Sequence, residues 1–222
     1  MNYTFQFGVL WDNGAYLAWG LWHAWWTSAP SIVISTVLGL VLAAASLSRM
    51  RAARVPAVVF VDLFRTLPVV VLLVWIHYVL PILTGINLSA TGSSVIALSL
   101  NGAALACEAF RGGLSAIPPT QTQAGHSLGF SRWQVLRYVV VPQAFYATLP
   151  ALTNVHITII KNVTVTVLIA VPEVMFRAQE LTVQFFRPLE LYTGAAVLYV
   201  ALVWGYTVLM RSLERLQKWQ PI

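Results

Sequence analysis

The charge that stands out in the sequence is Lys161, in the run ITIIKNVTV, with no acid within one helical turn of it. A lysine near the middle of a bilayer costs about 2.5 to 3.5 kcal/mol on insertion scales, so such an ammonium calls for a partner or a function. Facing a path through the membrane, it would favour a ligand with a carboxylate, and Asn162 and Thr164 beside it add polar recognition. The alternative is a lysine that snorkels or pairs with another span. Upstream lie Gln143, Thr148, Thr153, Asn154, His156 and Thr158, more polar groups than a lipid-facing stretch would permit. Asn101 stands in the middle of another apolar stretch. An amide in hydrocarbon needs a hydrogen-bond partner, so Asn101 should face other helices or a water-lined path, as packing or as substrate contact. His156 reads as a hydrogen-bonded packing residue. No second His or carboxylate lies beside it at ligand spacing, so no metal site is expected. Asp62 with Arg65, and Glu108 with Arg111, are three apart, the spacing of structural ion pairs on one helical face.

The elements that must position these groups are membrane helices. Of 222 residues 59% are hydrophobic and 9% charged, against about 25% charged in an ordinary soluble domain. The net charge of +6 comes from basic residues at span ends, without the clustering and interleaved aromatics of a nucleic-acid surface. A single cysteine, Cys107, excludes an internal disulfide and a cysteine metal cluster. No Gly-x4-Gly-Lys-Ser/Thr loop is present, so any ATP that drives the protein would be bound by another chain. Hydropathy predicts one all-α transmembrane domain over 1–222 with five spans, at about 29–47, 66–83, 91–108, 139–160 and 192–210. The start, Met1 to Gly20, lacks the basic residues of a secretory signal and is expected to stay outside the membrane. Trp19, Trp22, Trp25 and Trp26 fit an interfacial aromatic belt where the first span begins. A helix ending near Phe64 should bend at Pro68 into the second span. Pro172 and Glu173 should open a further helix, 174–186, lying at the outer surface or plugging the path. Arg49, Arg51, Arg54, Arg111, Arg132, Arg137, Arg211, Arg215 and Lys218 fall on one side. Only Arg177 and Arg187, accompanied by Glu173, Glu180 and Glu190, fall on the other. The positive-inside rule then puts the amino end outside and the carboxyl end in the cytoplasm.

Between the third and fourth spans lies the longest polar interruption, PPTQTQAGHSLGFSRWQVLRYVVVP, Pro118 to Pro142. Pro118 and Pro119 should stop the preceding helix. Thr120 with Gln123, and Ser131 with Gln134, have the spacing of capping boxes, and Phe130 and Val135 are placed as a hydrophobic staple. Gly129 sits where the first helix should end. The pattern predicts a short helix, a sharp turn and a second helix start. That object is an ordered connection, or a knob that fits a groove on a soluble partner.

Gln123, Ala124, Gly125, Gly129, Val139, Val141 and Pro142 resemble the EAA signature loop of the permease subunits of bacterial ABC importers. That pattern is Glu-Ala-Ala, three residues, Gly, nine residues, then Ile, any residue, Leu-Pro. The Gly and the Pro fall in register, while Gln123 stands for Glu, Gly125 for the second Ala, and Val139 and Val141 for Ile and Leu. Glutamine can complete a capping box but makes no ion pair with a basic partner. The segments GLWHAWWTS, DLFRTLP, SLNGAAL, EAFRGGLSAIP, SRWQVLRYVVVPQA, IIKNVTV and VPEVMFRAQEL extend the resemblance over about residues 20 to 215, toward the histidine, glutamine and glutamate/aspartate permeases.

The resemblance implies the type I ABC importer permease fold, with a cytoplasmic coupling helix between spans 3 and 4 in a coupling loop at 118–134. It implies a bacterial cytoplasmic (inner) membrane protein with no catalytic residue of its own. Two ABC ATPase subunits, carrying ATP and Mg, would dock on Thr120, Gln123, Ala124, Gly125, Leu128 and Gly129. A second permease, identical or homologous, would complete the pathway, and an extracytoplasmic binding protein would deliver substrate. The pathway residues expected here are Asn101, Asn154, Lys161, Asn162 and Thr164. Many relatives place an acid directly after this lysine, where the present chain has Asn162, so glutamate or aspartate is the expected cargo. Another polar amino acid, basic or glutamine, is the alternative within the same system. Outside it stand an ion-coupled transporter half or channel, which would show internal inverted repeats, and a membrane scaffold with no transport role.

Overall fold

Prolines and glycines divide the apolar segments into helices. The computed structural model describes residues 4–215, and side chains as far as 212. Lys218 and the side chain of Arg215, both counted above as inner charges, lie outside the described residues. The chain opens with a single turn, α1 (Gly8–Asp12), and passes into the long α2 (Gly14–Ser46). It turns into α3 (Arg51–Thr66), then runs through α4 (Val69–Val74), a π-helical turn at Trp75–Val79 and α5 (Leu80–Thr84). After α6 (Ala90–Ser115) come the short α7 (Pro119–Ser127) and α8 (Arg132–Val135). A second π turn, Leu136–Val140, leads into α9 (Val141–Asn162), which tightens to 3₁₀ at Val163–Ile169. The chain closes with α10 (Val174–Phe185) and α11 (Pro188–Arg215).

Both π turns have the same cause. Each ends two residues before a proline, Pro81 or Pro142, whose missing amide and bulky ring disrupt the preceding turn. Four helical stretches are long and apolar enough to cross a membrane: Gly14–Ser46, Ala90–Ser115, Arg132–Ile169 and Pro188–Ser212. A fifth arises if α3 and the Val69–Thr84 segment, which meet at 104°, count as one broken span. The bend falls at Leu67 and Pro68, as the sequence suggested. The helix that carries the expected first span, 29–47, begins earlier, at Gly14, because nothing between 14 and 29 breaks a helix, and the tryptophans ride on it. Trp22 and Trp26 stack at 5.9 Å on its exposed face.

The core is a three-helix seam in which α2 packs along α6 and α6 along α9. Small residues allow it: Ala24, Ser28, Ser31, Ser35, Gly39 and Ala43 form one buried stripe on α2 at helical spacing. A side chain at Gly39 would place its Cβ 2.6 Å from the Ala106 Cβ, so the two backbones approach as closely as they can. The hydroxyls in this stripe donate to their own helix, Ser28 to the Ala24 carbonyl at 2.7 Å and Ser31 to that of Thr27 at 2.8 Å. Buried polar groups there are satisfied without water. By contrast α11 is barely covered by its own chain, with Val197, Val200 and Trp204 open to the surroundings.

Candidate functional site

The polar interruption folds into a projecting knob. Pro119 opens α7 at its first position, where a missing amide is harmless, and Pro118 is the cap residue in extended conformation. Thr120 therefore lies inside the first turn, and no side chain caps this helix. The expected Thr120–Gln123 capping box is corrected on that ground. The second box is present: Ser131 Oγ accepts from the Gln134 amide at 3.3 Å, and Gln134 Oε1 accepts from the Ser131 amide at 2.8 Å. Gly129 takes φ of 83°, a left-handed turn that lets Phe130 donate its amide to the Gly125 carbonyl at 3.1 Å.

One contact holds the two halves of the knob together. Gly125 is buried against Val135, and an added Cβ would sit 2.9 Å from Val135 Cγ2. Glycine in place of the signature's second alanine thus has a steric reason, which depends on a residue ten positions on. Outward, the knob shows apolar groups uncovered by its own chain: Leu128 is 76% exposed and Trp133 67%. Thr120, Gln123 and Ala124 are exposed beside them. An ordered projection with bare leucine and tryptophan has the character of a protein-docking surface.

The expected pathway residues do not assemble into one site. Lys161 and Thr164 share a cavity of about 720 Å³ with Val70, Met175, Tyr192 and Tyr199. Lys161 is its one charged lining residue. Among the described residues no carboxylate lies within 4.0 Å of the Lys161 ammonium. Thr164 directs its hydroxyl to the Lys161 carbonyl at 2.8 Å. Asn154 lines a separate cavity of about 320 Å³ with Thr158. Asn162 is half-buried and lines neither. Asn101 is buried, and its amide donates to the Phe64 carbonyl at 2.9 Å. His156 bonds Thr36 Oγ1 at 2.9 Å and the Tyr206 hydroxyl at 2.6 Å, tying α9 to α2 and α11.

The ion pairs form a chain at one end of the bundle. Arg65 lies 3.5 Å from Asp62 and 3.9 Å from Glu108, which in turn meets Arg111 at 2.8 Å. At the other end, sequence reasoning missed a cluster around α10. Glu173 is fully buried, accepts from the Met175 and Phe176 amides at 2.8 Å each, and takes a hydrogen bond from the Tyr199 hydroxyl. Burial pushes its carboxyl above the usual value, while those three bonds pull the other way. Arg177 stacks over the Tyr16 ring at 4.2 Å, and Tyr16 donates its hydroxyl to Glu180 at 2.6 Å. The one signal available in advance was the Pro172–Glu173 helix start.

Comparison with known proteins agrees with this architecture. A family described as binding-protein-dependent transport system inner membrane component matches residues 35–219. The probable amino-acid ABC transporter permease protein YckA of Bacillus subtilis is 30% identical over 214 residues, 96% of this chain and 94% of that protein. The glutamine transport system permease protein GlnP of Escherichia coli is 30% identical over 215 residues, 96% and 98% of the two chains. Among solved structures, an amino acid ABC transporter crystallised with histidines superposes with a TM-score of 0.90 at 26% identity, over 97% of this chain and all of that one. The fold is shared also with the MetNI methionine ABC transporter, at a TM-score of 0.74 and 18% identity. With this match over most of its length, the chain belongs to the inner membrane components of binding-protein-dependent transport systems.

Proposed function

We propose that this chain is the permease subunit of an ATP-driven importer of acidic amino acids, with its amino end outside and its carboxyl end in the cytoplasm. The observation that carries the permease reading is the knob. It is tied together by the Ser131–Gln134 box and the Gly125–Val135 contact, it displays Leu128 and Trp133, and it leads from α6 and into α9, so a push on it would move two core helices at once. Hydrolysis belongs to a separate pair of ATPase chains, which bind ATP and Mg and grip α7. A second permease chain, a copy or a homologue, covers the open flank, and an extracytoplasmic binding protein delivers the cargo. The relatives named above, one for glutamine among them, support an amino acid as that cargo.

The preference for glutamate and aspartate is supported by Lys161, an ammonium without a described counter-charge on the wall of an otherwise uncharged cavity. The test is reconstitution with the ATPase and binding protein, reading ATP hydrolysis against acidic, basic and neutral amino acids. Glutamate and aspartate should stimulate, and Lys161→Met should cut that stimulation about tenfold or more, the scale of a lost hydrogen bond to a charged group. Stimulation by basic amino acids alone, or an unchanged response in Lys161→Met, rejects the substrate. Uptake that follows an ion gradient without any ATPase rejects the importer.

A further inference from the structure

The bend between α3 and α4 leaves a backbone carbonyl without its helical partner, and a side chain from another helix supplies one. In a continuous helix the Phe64 carbonyl would accept from the amide of residue 68. Residue 68 is proline and has no amide to give. Leu67 still donates to Leu63 at 3.1 Å, so the helix is intact up to the break, and Leu72 resumes it by donating to the Pro68 carbonyl at 3.1 Å. Into the gap comes Asn101 of α6, whose Nδ2 donates to the Phe64 carbonyl at 2.9 Å. Inside a membrane protein an unsatisfied carbonyl is costly, so this bond stabilises the bend.

The elements around the bend give it a consequence. Val70, three residues past the break, lines the cavity that holds Lys161, so the angle at Leu67–Pro68 sets one wall of that cavity. On the other side, α6 runs on from Asn101 through Glu108, paired with both Arg65 and Arg111, and ends a few residues before the knob. Val61 of α3 packs with Ala104 and Cys107 of α6 between these two polar ties.

We infer that Asn101 is a positioning residue for transport: it clamps the Phe64 carbonyl left open by Pro68, and so fixes the bent span against the helix that carries the knob's motion. Its amide holds backbone and touches no cargo. The segments SLNGAAL and DLFRTLP are thus two sides of one joint. The inference rests on the importer reading for its functional half and on geometry alone for its structural half.

The test uses the full reconstituted complex and three chains: wild type, Asn101→Ala, and Asn101→Ala combined with Pro68→Ala. In the double variant residue 68 offers its own amide to Phe64, so the carbonyl is satisfied but the reason for the bend is gone. Asn101→Ala should lower the melting temperature in detergent and reduce amino-acid-stimulated ATP hydrolysis by about tenfold, by the same factor for every amino acid that stimulates wild type. The double variant should regain melting temperature without regaining stimulation. If Asn101→Ala cannot be purified, the double variant alone carries the comparison with wild type. A changed rank order among amino acids would show that Asn101 touches cargo and overturn the inference. So would a double variant that transports normally, or an Asn101→Ala protein indistinguishable from wild type. A wild-type complex that no amino acid stimulates contradicts the importer reading instead, and leaves the melting temperatures to decide the joint.

Discussion

Glu173, itself fully buried, caps α10 with its carboxylate and receives a hydrogen bond from the half-buried Tyr199 hydroxyl of α11. Two effects oppose each other at this group, and burial prevails, so its carboxyl titrates above the ordinary 4.5. A group whose folded pKa is raised binds more protons in the folded state over the interval between the two values. Its contribution is therefore full below about pH 4.5 and is lost as pH rises through the raised folded value. Glu173→Gln removes that titration. The wild-type melting temperature should fall relative to Glu173→Gln as pH is raised from 4 upward, measured by thermal unfolding in detergent. Parallel pH curves for the two proteins would show that burial of this carboxyl has no energetic consequence. Lys161 and Asn101 divide the residue scale differently, one on a cavity wall and the other holding a carbonyl, although hydropathy marked both as polar groups in apolar surroundings.

At the scale of elements, the knob depends on local chemistry that can be removed one bond at a time. Ser131→Ala abolishes the box at the start of α8 and should cost about 1 kcal/mol of local stability, visible as faster amide exchange over 131–136. If the knob transmits force, coupling of ATP hydrolysis to uptake should fall with it, while exchange elsewhere stays unchanged. What the sequence disclosed here follows the same division. Ser131, Gln134, Gly129 and Pro119 act on neighbours within a few positions, so their roles were legible, apart from Thr120, where Pro119 had already begun the helix. Helix ends were legible only in part, because hydropathy marks the apolar portion of a helix and not its ends. Thus 91–108 lies within Ala90–Ser115, and 192–210 within Pro188–Arg215. The bonds from Asn101 to Phe64 and from Tyr199 to Glu173 join residues 37 and 26 apart on different helices. No local rule specifies which carbonyl a distant amide will find, and the Gly125–Val135 contact was hidden for the same reason.

Across the whole molecule, charge, small-residue packing and shape agree. The seam of α2, α6 and α9 forms the centre, α10 is wedged between α2 and α11, and the Arg65–Glu108–Arg111 chain lies toward the end of α6 that leads into the knob. Coupling of this chain to a separate ATPase needs that end to be cytoplasmic and that projection to be gripped. The decisive measurement attaches a photo-crosslinker to Leu128→Cys, the native Cys107 being buried, in membranes where the ATPase is co-produced. Illumination should give an adduct between this chain and the ATPase, with the thiol unreactive toward an impermeant maleimide applied from outside. A thiol labelled from the outer face, or no adduct in a complex that still hydrolyses ATP in response to cargo, would contradict it.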